Sequence, residues 1–493
     1  MDLHAAWIEL LEEAGPGKMM ITAYDTAWVA RLTEIGEPIG ELALEWLREH
    51  QLPDGSWGAE DPCYYHDRVI CTLAAINALA RRAHPGDCDR LRRAEVALEI
   101  MTSRLGQDSA GETIGFELIV PTLFQEARTL GALHREEIEV LKSLAPLRSA
   151  KLAMLPNGMI NRSVTMAFSL EMAGSDGIDL LDAEHVQEQN GSISYSPSAT
   201  AYFALYVRRG DPNALAYLRS VAIDGKAPNV SPFDVFEQAW VLWNLKYATE
   251  LLDDGILNLC KPHLDFLEQS WLSGTGAGFA KDYAPKDGDE TSIVYDVLSY
   301  YGRSVDIEAV LSYERPYYFR CFDLESNPSI SANIHILGAL KQANFERNHP
   351  AIKKLLLFLN EARTDNAFWF DKWHVSPYYA TSHGAMACMA YDYSTARAAI
   401  DWILSSQNVD GSWGYYLSTA EETAYCLQAL AIWSRYYGNH IDKDVFQRGQ
   451  EWLANHLNPP YPPLWIGKCL YCPELVVKSA VLSALTLTEM HEI

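Results

Sequence analysis

The feature that most limits what this chain can fold into is a repeat. Gln51-Leu-Pro-Asp-Gly-Ser-Trp57-Gly58 returns as Gln407-Asn-Val-Asp-Gly-Ser-Trp413-Gly414, and a worn copy, Gln187-Glu-Gln-Asn-Gly191-Ser-Ile193, carries Ile in place of Trp. Each copy has Gln, then Gly four residues on, then a large apolar side chain two residues later. Ile39, Leu42, Ala43, Trp46 and Leu47 precede the first copy at helical spacing, and Arg68 onward continues the same period. Residues 396–406 and 419–433 flank the last copy in the same way. The unit is therefore helix, Gly-bearing turn, helix. Gly supplies the permissive backbone, while Gln and Trp can tie neighbouring helix ends together. These turn residues read as braces for the fold and not as chemistry.

Alternating apolar runs are scarce, so the fold class is all-α. Stacked helix pairs predict two α-barrel (α/α toroid) domains, with inner helices lining a cavity and outer helices enclosing it. At 493 residues and 48% hydrophobic content, the chain has material for both cores. The net charge of −26 argues against nucleic acid and against anionic lipid. A small anionic substrate would need a local basic pocket or a bridging cation. The nine Cys are odd in number and scattered, as in a reducing compartment. Cys469 and Cys472 form a CxxC without a second ligand pair, which reads as two buried thiols. Neither a signal pattern nor a bilayer-length apolar run is present, so a cytoplasmic protein with no integral membrane segment is expected.

Chemistry enters at Asp287-Gly-Asp289-Glu290, ahead of a helix expected over 292–302. Three carboxylates within four residues cannot all ionise cheaply if partly buried, because like charge and desolvation raise at least one pKa. A protonated acid facing an apolar, aromatic chamber is what protonation of an alkene requires. The common alternative for such a cluster is a solvated helix cap.

Further segments decide between these readings. Thr22-Ala-Tyr-Asp-Thr-Ala-Trp28, Ile114-Gly-Phe-Glu117-Leu-Ile-Val-Pro121, Gly191-Ser-Ile-Ser-Tyr-Ser-Pro197, Asp371-Lys-Trp373-His374 and Pro462-Pro-Leu-Trp465-Ile-Gly-Lys468 join the repeats and the acidic loop in a fixed order. Together they span nearly the whole chain and resemble the class II terpene cyclases, most closely the bacterial diterpene branch of mycobacterial halimadienyl (tuberculosinyl) diphosphate synthases. The resemblance implies a βγ arrangement. A β domain of residues 1–35 plus 232–493 would carry the acid, a γ domain of residues 36–231 would be inserted in it, and the active site would lie between them.

It also implies roles. The family acid motif is Asp-x-Asp-Asp, so Asp289 would be the general acid and Asp287 its partner. Glu290 departs from the motif by one methylene, which moves its carboxylate about one bond length (~1.5 Å) outward. Asn333 would orient the acid. Trp373, Tyr378, Tyr379 and Tyr471 would line the cavity and stabilise cations through their aromatic faces. His374 could remove the final proton. Arg162 and Lys468 would hold the diphosphate. Mg2+ is the expected cofactor, with Asp108 and Glu112 as its ligands.

The implied reaction is protonation of geranylgeranyl diphosphate, closure of two rings and loss of a proton, giving a bicyclic diterpenyl diphosphate of halimadienyl type. Kolavenyl (clerodane) or copalyl diphosphate are the alternative skeletons. Asp253-Asp254-Gly-Ile-Leu257 lacks the last acid of the DDxxD motif that ionises a diphosphate, so the product should keep it and pass to a downstream diphosphate-processing enzyme. Rival readings are a squalene-hopene-type triterpene cyclase, a non-catalytic α-toroid binding module, and a zinc prenyltransferase barrel needing an Asp, Cys and His set.

Overall fold

The computed structural model describes residues 2–489, apart from 135–138, 252, 326 and 439–440. Two large apolar cores divide the chain. Around the first, six helices form a closed ring: Asp234–Leu245, Gly288–Tyr300, Ile330–Gln342, Pro377–Cys388, Ala420–Tyr437 and Glu474–Glu489. Each packs on the next, and the last packs on the first. Their burial explains the position. In Pro377–Cys388 every residue is buried, whereas the outer helix Pro350–Glu361 buries only one stripe. All six inner helices run the same way, so their N-terminal ends gather on one side of the ring.

The second ring is smaller. Ala23–Ala30, Tyr65–Arg82, Phe116–Thr129, the 3-10 segment Thr165–Ala173 and Pro197–Tyr202 close on one another. All eight residues of Ala23–Ala30 are buried, so that helix must sit inside a ring. It packs in the second core, and the chain first crosses between the cores at Met19–Thr22, not after residue 35 as the sequence suggested. The return crossing lies near 227–230.

The repeat does what its composition implies. Gln51 Nε2 donates to the carbonyls of Gly55 (2.8 Å) and Arg90 (3.0 Å), and Trp57 Nε1 donates to Leu47 O at 2.8 Å. Gln407 and Trp413 make the matching bonds to Gly411, Val445 and Ile403. A second bond marks copies the sequence hides. The backbone N–H of Trp57, Ile193, Ala277, Trp369 and Trp413 each reaches a threonine hydroxyl on the following inner helix, namely Thr72, Thr200, Thr291, Thr381 and Thr423.

A short hairpin, Trp465–Ile466 paired antiparallel with Leu470–Tyr471, bridges the two cores. Its turn enters the smaller ring, where Lys468 is fully buried and Cys469 joins the core. Among the described residues no helix is long and apolar enough to cross a membrane.

Candidate active site

Asp287 caps the helix Gly288–Tyr300. Its Oδ1 accepts the Glu290 N–H at 2.8 Å and the Cys321 thiol at 3.9 Å. Burial, reinforced by the charge of Asp289, lifts its pKa to about 7, against the opposing pull of the Glu290 N–H. Glu290 is 3% exposed and its Oε1 has no hydrogen-bond partner. Burial first, then Asp287 and Asp289, push it well above the ordinary carboxylate range. Burial thus disfavours the ionised form of both acids.

Asp289 differs from both. Its side chain is 18% exposed, and Oδ1 lies 2.5 Å from Nδ1 of His335, which is buried. The loop in front of this acid is pressed close. A side chain at Gly288 would meet the Arg320 carbonyl at 2.5 Å and the Tyr313 ring at 3.1 Å, so only glycine fits there. Asn333 fastens that loop. Its amide accepts from Phe319 N–H (2.8 Å) and donates to Phe319 O (2.9 Å) and Ser329 O (2.7 Å). Every strong bond of Asn333 is therefore spent on backbone, and the partner of the acid is His335, two residues further along the same helix. Asp371 sets that helix by capping it, accepting the N–H groups of Ile330 (2.8 Å) and Ser331 (3.0 Å).

Aromatic rings surround the acid. Trp240 meets His335 edge-on at 5.1 Å, and Tyr379 packs against Trp240, His335, His383 and Trp465. The Tyr379 hydroxyl is buried without a partner; desolvation, then Asp289, raises its pKa. Tyr471 packs on Phe233 and Trp465 and lies near enough to Glu290 to feel its charge. Trp373 is half-buried beside Phe322, with a buried, unpartnered Nε1. Rings without nucleophiles that face a protonated acid stabilise cations and do not quench them.

The family follows from comparison. The squalene-hopene cyclase C-terminal domain family matches residues 323–460. A type B diterpene cyclase of Mycobacterium tuberculosis is 47% identical over 97% of this chain and 98% of its own length. This chain is a class II diterpene cyclase. The cyclase is also 30% identical to a (+)-kolavenyl diphosphate synthase of Herpetosiphon aurantiacus over 97% of this chain and 95% of that one. The solved structure of ent-copalyl diphosphate synthase from Streptomyces platensis matches with a TM-score of 0.79 at 30% identity, covering 99% of each chain.

Several residues expected at the site of this cyclase have other duties. Lys468 Nζ donates to Phe168 O (2.8 Å), Glu171 Oε1 (2.7 Å), Ser196 Oγ (2.7 Å) and Ser198 Oγ (2.5 Å), so it locks the hairpin into the smaller ring and has no donor for a diphosphate. His374 is fully buried between Glu421, at 3.3 Å, and the Ser376 backbone, and cannot serve as a free base. Tyr378 packs outward on Trp402 at 4.8 Å, away from the chamber. Arg162 is exposed on the smaller ring near Glu188, and is not gathered with the acid.

Of the expected metal pair, Asp108 is engaged elsewhere. Asp108 accepts the N–H groups of Tyr65 (3.0 Å) and His66 (2.8 Å) and the His66 ring (2.7 Å), which makes it the cap of Tyr65–Arg82. Glu112 is exposed within the electrostatic reach of His66, and partial desolvation and then the charge of Glu117 raise its pKa. The metal-ligand cluster found among the described residues is Asp67, Cys71 and Cys469. It contains no His, and Asp67 already accepts the Ala59 and Leu470 N–H groups. That argues against a zinc prenyltransferase barrel.

Sequence reasoning passed over His335, His383, Lys151 and Lys372. Lys372 lay inside a matched segment and His335 two residues from Asn333, but only folding reveals their partners. Lys151 reaches from the smaller ring to Leu324 O at 3.0 Å. Glu117, Lys372 and Glu325 all act on its charge, so these four groups gather where the two barrels meet.

Proposed function

We propose that this cyclase converts geranylgeranyl diphosphate to a bicyclic diterpenyl diphosphate of halimadienyl type, with Asp289 as the proton donor. The observation that carries the reading is the asymmetry among the three acids. Asp287 and Glu290 are sealed in surroundings that disfavour their charge, while Asp289 alone keeps an open face and a histidine beside it. Proton transfer from Asp289 to the terminal alkene makes a tertiary cation, which two ring closures carry into a decalin. Aromatic faces such as those of Trp240, Tyr379 and Trp465 spread the charge, and Tyr471 flanks the Glu290 side. Loss of a proton ends the sequence with the diphosphate intact, so an enzyme that processes allylic diphosphates would act next.

The head group belongs at the seam between the barrels, where Lys151 and Lys372 offer cations. A Mg2+ ion would neutralise the remaining charge. Glu112 and Glu117, whose mutual repulsion a cation would relieve, fit that role better than Asp108. The reading also places the enzyme in the cytoplasm, where the water-soluble substrate head group is available.

The test incubates the protein with geranylgeranyl diphosphate and Mg2+, dephosphorylates, and identifies the alcohols by mass spectrometry, beside Asp289→Asn. A bicyclic alcohol from the wild type alone supports the assignment and names the skeleton. Geranylgeraniol from both folded proteins refutes it. The resemblance of the ordered segments favours halimadienyl, and a kolavenyl product, the one named for the 30% relative, is the alternative that the same test would identify.

A further inference from the structure

A cyclisation started by Asp289 moves a positive charge away from that acid as the rings close. This inference rests on the cationic reading of the reaction above. The charge passes from the terminal alkene to the new decalin, and the wall that meets it there decides how well it is held.

On the hairpin side that wall hangs on one carboxylate. Glu421 stands in the first turn of the inner helix Ala420–Tyr437. Its Oε1 accepts Trp465 Nε1–H at 2.7 Å and the Tyr425 hydroxyl at 3.0 Å, and lies 3.3 Å from His374 Nε2. The same three rings enclose Tyr379. His374 stacks on it at 4.8 Å, and Trp465 and Tyr425 meet it at 5.0 and 5.8 Å. Burial, then the charge of Glu421, raises the pKa of Tyr471 on the other hairpin strand.

The carboxylate has donors but no counter-charge. The Ser376 N–H donates to His374 Nδ1 at 3.1 Å, which needs a lone pair there and leaves the ring hydrogen on Nε2, facing Glu421. His374 is then a neutral donor, like Trp465 and Tyr425. Glu421 is 1% exposed, and its Oε2 is buried with no hydrogen-bond partner, so a proton placed on that oxygen would find no acceptor. A set made only of donors suits an ionised carboxylate, and the helix start adds its favourable dipole. Yet no lysine or arginine among the described residues forms an ion pair with Glu421, and its neighbour Glu422 is a second buried acid. Glu171, equally buried, has Lys468 at 2.7 Å. Packing alone does not ask for an uncompensated buried charge, which is costly to hold.

We propose that the missing counter-ion is the carbocation itself, and that Glu421 is a positioning residue that holds the migrating charge through the aromatic wall. A carboxylate in contact with the cation would capture it as an ester. Glu421 cannot, because three donors wrap Oε1 and Oε2 is sealed from the chamber. It attracts the charge without reacting with it. Its hydrogen bonds also fix the Trp465 and His374 rings and enrich their π faces, which strengthens their hold on a cation.

Two ligands read the charge. One is a tertiary-amine analogue of the bicyclic diphosphate, protonated at neutral pH, with nitrogen at the cationic ring carbon. The other is its neutral carbon isostere. Calorimetry compares both on wild type, Asp289→Asn and Glu421→Gln, with folding checked by thermal melts. A unit charge one ring away, roughly 7 Å, at an effective dielectric of ~20 corresponds to a preference for the amine of ~50-fold. Glu421→Gln keeps an oxygen for the three donors and removes the charge. Its preference should fall at least ~10-fold, while the isostere binds within about threefold of wild type. A purely structural Glu421 would move both ligands together. With geranylgeranyl diphosphate, kcat of this variant should fall at least ~10-fold and KM stay within about threefold. Asp289→Asn should keep most of the preference for the amine. An unchanged preference or a wild-type kcat in folded Glu421→Gln overturns the inference. So does loss of the preference in Asp289→Asn, which assigns the attraction to the acid and decides the matter even if Glu421→Gln does not fold. Absence of cyclised product from the wild type would instead defeat the reading of the reaction.

Discussion

Asp287→Asn isolates the electrostatic cost of the acid site. In the folded protein burial lifts Asp287 from 3.8 to about 7. Between those values the folded state holds a proton that the unfolded state has released. The stability this group contributes is therefore complete below pH ~3.8 and declines as pH rises through about 7. The gap of about 3 units, at 1.36 kcal/mol each, makes the full loss about 4 kcal/mol. Asparagine is neutral throughout, and its side-chain oxygen can still cap Glu290 N–H. The variant should therefore gain about 4 kcal/mol on wild type between pH 4 and pH 8, whatever its constant offset. A barrel of ~280 residues unfolds with an entropy of ~0.6 kcal/mol/K, so the gain corresponds to a relative Tm shift of about 7 °C. Thermal melts of both proteins across that pH range measure it. Parallel Tm–pH curves would refute the claim that Asp287 is held neutral by burial.

Two other perturbations probe the frame around the site. Lys468→Met should cost about 3–5 kcal/mol, because Glu171 would be left fully buried with Tyr24 as its remaining partner, and Lys468→Met/Glu171→Leu should recover most of that loss in thermal melts. Gly411→Ala should lower Tm by more than Gly438→Ala does. Gly411 has φ +94° and an added Cβ would lie 2.5 Å from the Arg448 carbonyl, while Gly438 has φ +61° and open space around it.

The repeat was legible because its bonds are local or nearly so. Gln407 bonds a carbonyl four residues away and Trp413 one ten residues away, and such offsets leave a pattern in the sequence. The copies at Ala277 and Trp369 were hidden because they keep the threonine bond but lack the Gln-to-Trp signature. Asp287, Asp289 and Glu290 were found for the same reason of proximity: four consecutive positions at one helix start bring their charges together whatever surrounds them. Lys468 and Asp108 misled because a basic or acidic residue in a family segment does not reveal what it bonds. Lys468 meets Glu171 across 297 residues, and Asp108 meets His66 across 42.

By itself the sequence determined the helical period, the braced turns and the acid-bearing helix start, all set by contacts within about fifteen residues. It also determined the family, through the order of its segments. Only the tertiary structure decided that Asn333 serves the loop while His335 serves the acid. Both lie on one helix two residues apart, hence on different faces, and which face meets Asp289 depends on how that helix is rotated in the ring. The line from Asp289 through His335 to His383 draws on three separate helices of the ring. No sequence spacing encodes it, because closing the ring is what brings those helices together.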